Sequence, residues 1–128
     1  MILNSKTKIK PFYSNGRISM KIDIRTEVVI GERSVEEEDV KEEGREFLNK
    51  DAEKSLEENI KKVIEKVQKD FGTDIFGFGR ILKMEMPVLW KSVAKDWNMV
   101  FKNMDVDVKS TIEIKNSGFI LKPIKVSD

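Results

Sequence analysis

Asp74-Ile75-Phe76-Gly77-Phe78-Gly79, continued by Arg80-Ile81-Leu82, is the densest stretch of this chain. Two aromatics and two glycines share six positions between a highly charged helical pattern and a second pattern opened by Pro87. Glycine inside a helical segment lets a neighbouring element approach where a Cβ would collide, at about 1 kcal/mol per residue in lost helix propensity. The stretch therefore predicts close packing at the middle of the chain, and none of its residues is a nucleophile. It is not a nucleotide loop either, because the third glycine of a dinucleotide fingerprint and the Gly-Lys-Ser/Thr of a Walker loop are both missing. Arg80 reads as a local cap or ion-pair partner.

Before this stretch, Leu56, Ile60, Val63, Ile64, Val67 and Phe71 recur at steps of three and four from Asp51 onward, which predicts a long amphipathic helix. Glu57 with Lys61 and Glu58 with Lys62 are i,i+4 pairs in the favourable order. Gly72 ends this helix, and Thr73 or Asp74 can cap a second, shorter one whose inner side is Ile75, Phe78 or Gly79, Leu82 and Met86. Pro87 suits the first turn of a third helix, where its missing donor does no harm. Trp90, Val93, Ala94, Trp97 and Phe101 share one face of that helix, and two indoles on one stripe point to core packing.

Further out, the period changes to two. Lys6 to Tyr13 is β-compatible, Ser14-Asn15-Gly16 supplies a turn, and Ile18, Met20, Ile22 and Ile24 alternate with Ser19, Lys21, Asp23 and Arg25 in a half-buried strand running to Ile30. Pro11 cannot donate to a ladder, so the first strand of this hairpin is predicted at an edge. Gly31 to Lys50 reads as a solvated connector, with Ser34 and Glu37 as a capping box and Gly44 weakening any helix there. After Asn103, Val106, Val108, Ile112 and Ile114 alternate with Asp107, Lys109, Thr111 and Glu113. Asn116-Ser117-Gly118 then turns the chain into a final strand, Phe119-Ile120-Leu121, before Pro123. Helices grouped between strands predict an α+β class: a mainly antiparallel sheet from two hairpins, with about three helices on one face.

With 128 residues the chain is expected to form a single domain, 1–128, able to hold a core without staples. Charge is near balance at +1, yet residues 1–25 hold six cations against Asp23, while residues 32–46 hold eight acids against three cations. There is no cysteine and no histidine, which removes thiolate and imidazole catalysis and their metal sites, and no cofactor is implied. No apolar run approaches the ~20 residues that span a bilayer. Asp105 and Asp107 share one face of a strand, where alternation explains them as its wet side rather than a catalytic pair. The lysine-rich faces lack interleaved aromatics, so nucleic acid is not an expected partner. Trp90, Trp97 or Tyr13 on a cleft would be the means of an alternative, small-ligand binding function.

Gln68-Lys69-Asp70-Phe71-Gly72-Thr73 running into Asp74-Ile75-Phe76-Gly77-Phe78-Gly79, then Met86-Pro87-Val88-Leu89-Trp90-Lys91 and Asp96-Trp97, resembles the C-terminal domain of the Ger(x)C family. The likeness continues through Val106-Asp107-Val108 to the Ile114 to Gly118 end, so its specific part covers residues 56–121. Members of that family are the C subunits of nutrient germinant receptors in spore-forming bacteria. The resemblance implies a non-enzymatic lipoprotein that works with a transmembrane A subunit and a transporter-like B subunit at the spore inner membrane. The family's lipidated cysteine and two preceding domains are absent from this sequence, so the chain is expected to be an isolated, soluble C-terminal fragment of a longer subunit. Asp74, Ile75, Phe76, Gly77, Phe78, Gly79, Pro87, Trp90 and Trp97 are the matching signature positions, and the resemblance implies a structural role for them with no catalytic residue among them.

Overall fold

The computed structural model describes residues 2–30 and 42–116. Strands β1 (Ile2–Ser14) and β2 (Arg17–Ile30) form an antiparallel hairpin whose register runs from Ser14 opposite Arg17 to Ile2 opposite Val29. Asn15 and Gly16 make the two-residue turn, with φ of 51° and 75°. Two consecutive positive φ values match the right-handed twist of the strands they join, which is why Asn-Gly is favoured there. β1 lies at the edge of the sheet, where Pro11 is tolerated.

Helix α1 (Glu42–Asp70) follows, then α2 (Phe78–Glu85), α3 (Pro87–Val93), a 3-10 turn (Ala94–Asp96) and α4 (Trp97–Asn103). Strand β3 (Asp105–Asn116) then pairs with β2 in parallel, from Ser19 opposite Asp105 to Ile30 opposite Asn116. The class is α+β, as the grouping of elements predicts. The sheet itself is mixed, in the order β1-β2-β3, because the helices carry the chain back to the starting end of β2 before β3 begins. Period-two alternation marks a strand without giving its direction, and a parallel neighbour needs such a crossover. The final strand expected at Phe119-Ile120-Leu121, and with it the second hairpin, lies outside the described residues.

Three expectations about the helices are corrected. The segment 42–50, read as connector, is already part of α1, whose Asn49 Nδ2 donates to the Ile112 carbonyl at 3.4 Å. The capping box at Ser34 and Glu37 lies outside the described residues. Val63 and Phe71, placed on the buried stripe of the long helix, are 57% and 69% exposed, and Gln68 takes the buried position beside Ile64 and Val67. Third, the helix expected from Pro87 to Phe101 is interrupted by the 3-10 turn at Ala94–Asp96, which separates α3 from α4.

The core lies between one face of the sheet and the helices. Ile18, Met20, Ile22 and Ile24 of β2 project to the same side as Val106, and Ile64, Val67, Phe78, Leu82, Trp97 and Phe101 pack from above. Phe78, Leu82 and Phe101 are completely buried, so they anchor the helical layer. Fully burying one such side chain contributes roughly 1.5–3 kcal/mol. The opposite face of the sheet carries Lys6, Lys8, Lys10, Lys21 and Arg25 toward β1 and Asp105, Asp107, Lys109 and Glu113 on β3. All of these are exposed.

Candidate functional site

The Asp74 carboxylate is the hub of the signature stretch. Its Oδ1 accepts from the backbone N–H groups of Gly77 and Phe78 at 2.9 and 3.1 Å, and its Oδ2 accepts from the Gly79 N–H at 2.7 Å. The indole Nε1–H of Trp97 donates to the same Oδ2 at 3.0 Å. The first turn of a helix has no intrahelical acceptors for its N–H groups, and a carboxylate there satisfies them while complementing the helix dipole. Asp74 thus caps α2 and, through Trp97, ties it to α4.

The two glycines serve this arrangement differently. Gly77 adopts φ of +83° with nothing near its missing Cβ, so its role is conformational: it turns the chain so that Asp74 faces the helix start. Gly79 is ordinary in conformation but crowded. A Cβ there would stand 2.9 Å from Trp97 Nε1 and 3.1 Å from the Trp90 ring. Trp90 and Trp97 meet edge to face with centroids 5.3 Å apart, which the break between α3 and α4 permits. Below them, Phe76 stacks on Phe78 at 5.3 Å and both rings lean on Phe101.

Of the remaining signature residues, Pro87 is the first residue of α3, and Ile75 is 67% exposed rather than on the inner side of α2. Helix α2 begins only at Phe78, so Ile75 belongs to the preceding turn. Tyr13 does not join the tryptophans. It lines a separate cavity of about 260 Å³ with Leu89, Val93 and Val100, and neither indole reaches it. The Trp97 N–H, the polar handle a ligand would use, is already bound to Asp74.

Asp105 and Asp107 line an open polar depression of about 400 Å³ with Ser19, Lys61, Glu65 and Gln68. Neither histidine nor cysteine exists in the chain to accompany them, and among the described residues no group of three or more potential ligands is placed to hold a metal ion.

Two features escape a reading of periodicity. Gln68 Nε2, buried, donates to the carbonyls of Phe101 and Met104 at 2.8 Å each, closing the end of α4 where carbonyls lack partners. A glutamine on an otherwise apolar stripe was its one visible signal. Glu57 Oε2 accepts from the Ser110 N–H at 2.8 Å, and Glu53 Oε2 from the Ile112 N–H at 2.6 Å. These two glutamates seal the outer edge of β3. On the outer face, Glu27 hydrogen-bonds Lys115 at 3.0 Å and holds that ammonium above its ordinary pKa. No helix among the described residues is long and apolar enough to cross a membrane.

The fold and its hub define a class: an α+β domain in which a helical layer is pinned to a mixed three-stranded sheet through one capping carboxylate. Residues 1–118 match the family described as Spore germination B3/GerAC like, C-terminal, and the chain belongs to that family. It is 29% identical over 122 residues to spore germination protein B3 of Bacillus subtilis (strain 168), which covers 94% of this chain and 33% of that protein. It is 25% identical over 129 residues to spore germination protein KC of the same organism, covering 97% of this chain and 30% of that protein. The crystal structure of the GerBC protein superposes with a TM-score of 0.71 at 26% identity, over 86% of this chain and 34% of that one. The chain therefore spans about a third of the length of the relatives it matches.

Proposed function

We propose that this chain is the C-terminal domain of a nutrient germinant receptor C subunit and acts in spore germination by protein contact, without catalysis. The observation that carries this reading is the family match over residues 1–118, to proteins named for spore germination. The chemistry of the signature supports it: each oxygen of the Asp74 carboxylate and the Trp97 N–H are engaged inside the fold. What is left to a partner is surface, above all the charged outer face of the sheet. The partners in this reading are the A and B subunits of the receptor, and a lipid anchor elsewhere in the subunit holds the assembly at the spore inner membrane.

The test is co-purification of the complete C subunit with its partner subunits, with and without this domain, alongside germination of the corresponding spores. Loss of assembly and of nutrient-triggered germination on deletion is the expected result. Unchanged assembly with unchanged germination contradicts the proposal.

A further inference from the structure

Side chains of α1 complete the outer edge of β3 where a fourth strand would otherwise pair. Asn49 Nδ2 donates to the Ile112 carbonyl, Glu53 Oε2 accepts from the Ile112 N–H, and Glu57 Oε2 accepts from the Ser110 N–H. Along a strand the N–H and C=O of alternate residues point to the same side, so Val108 and Val106 turn theirs to this same edge. There the series fails. Four positions beyond Glu57 on α1 stands Lys61, whose ammonium has no lone pair for the Val108 N–H. Glu65, four further on, makes no hydrogen bond to Val106. Among the described residues, nothing pairs with the outward N–H and C=O of either valine.

This stretch of edge coincides with the polar depression of about 400 Å³, whose walls include Lys61 and Glu65 of α1 and Asp105, Val106 and Asp107 of β3. It lies at the starting end of β3. Asn116, paired with Ile30, stands at the other end of the sheet, about 33 Å from Val106. Unpaired N–H and C=O groups on an edge strand are a template for another extended chain. The surrounding charge says which kind. Glu65, Asp105 and Asp107 outnumber Lys61, and all four are exposed. A strand laid beside β3 would carry alternate side chains on the face of Asp105 and Asp107, where opposite charges pair favourably across neighbouring strands.

We propose that the edge of β3 at Val106 and Val108 receives a short extended segment of a partner protein, with Lys or Arg at alternate positions, as a fourth strand. The inference rests on the reading of this domain as a protein-contact module and names the partner's chemistry. In the free full-length chain, amide exchange at Val106 and Val108 is expected to be at least about tenfold less protected than at Ser110 and Ile112. The peptide acetyl-Lys-Val-Lys-Val-Lys amide is expected to protect both valine amides. The same peptide N-methylated throughout, which keeps its charge and loses its donors, is expected to protect neither, and a version with Glu for Lys to bind at least about tenfold more weakly. Lys61→Glu supplies the missing acceptor. It is expected to protect Val108 without peptide and to weaken the basic peptide at least about tenfold, although it adds negative charge. Lys62→Glu, the same charge change at an exposed neighbour, is expected to leave binding within about twofold. Full protection of both valines in the free chain, no protection by the basic peptide, equal binding of the N-methylated or acidic form, or tighter binding to the Lys61→Glu chain would each overturn the proposal. These peptide measurements judge the strand pairing on this chain alone, whereas deletion of the domain from the complete subunit judges the role in germination, so either can fail without the other.

Discussion

One carboxylate, Asp74, satisfies four donors, three from the start of α2 and one from an indole twenty-three positions away. Removing it leaves those N–H groups in a partly buried place with few alternatives. Asp74→Ala is expected to lower stability by about 2–3 kcal/mol, the range spanned by loss of a good helix cap and of hydrogen bonds to a charged group. Urea unfolding measures this, and a change below 0.5 kcal/mol, within the usual range of ordinary surface substitutions, would contradict the capping role. The neighbouring glycines separate two physical causes. Gly79→Val is expected to destabilise by roughly 1–3 kcal/mol, because the added atoms meet two tryptophans. Gly77→Asn is expected to be far milder, because asparagine tolerates positive φ and nothing lies within 4 Å of its Cβ. Equal unfolding midpoints for the two variants would refute the distinction. Sequence alone assigns both glycines the same motive, close approach, since a positive φ at Gly77 and crowding at Gly79 are properties of the backbone and its neighbours.

At the scale of elements, the pairing of α1 with β3 follows from two repeats that nearly coincide. Four helical residues rise about 6 Å and two strand residues about 6.6 Å, so glutamates at positions 53 and 57 meet alternate amides of a strand running the other way. Glu57→Ala is expected to leave the Ser110 amide without its acceptor and to accelerate its hydrogen exchange by at least about tenfold, an open-edge effect that NMR reads residue by residue. Unaltered protection at Ser110 would mean that the carboxylate contributes nothing there. The spacing in sequence predicts a Glu57 and Lys61 surface pair, because the partner on β3 is fifty-three positions away and invisible to local reasoning. The strands and the Asn-Gly hairpin were legible, since alternation and turn chemistry are local. The parallel direction of β3 and the break at Ala94–Asp96 were not, because both belong to how the helical layer is arranged against the sheet, which local periodicity does not carry.

For the molecule as a whole, the two faces of the sheet differ: the inner face holds the core, and among the described residues the outer face carries the exposed charges through which the proposed partner contact would be made. Lys8→Glu on the outer face is expected to change stability by less than about 0.5 kcal/mol, as exposed substitutions do, while weakening any contact made through that cationic row. Co-purification with the proposed receptor subunits reads the second effect, and a variant that unfolds instead would place Lys8 in the fold. We propose that the signature stretch is a lock between helices rather than a binding site. A double-mutant cycle on Asp74→Ala and Trp97→Phe, followed by urea unfolding, addresses it most directly. A coupling energy of about 1–2 kcal/mol is expected for the carboxylate and indole bond, and additivity within about 0.3 kcal/mol would show that no such lock exists.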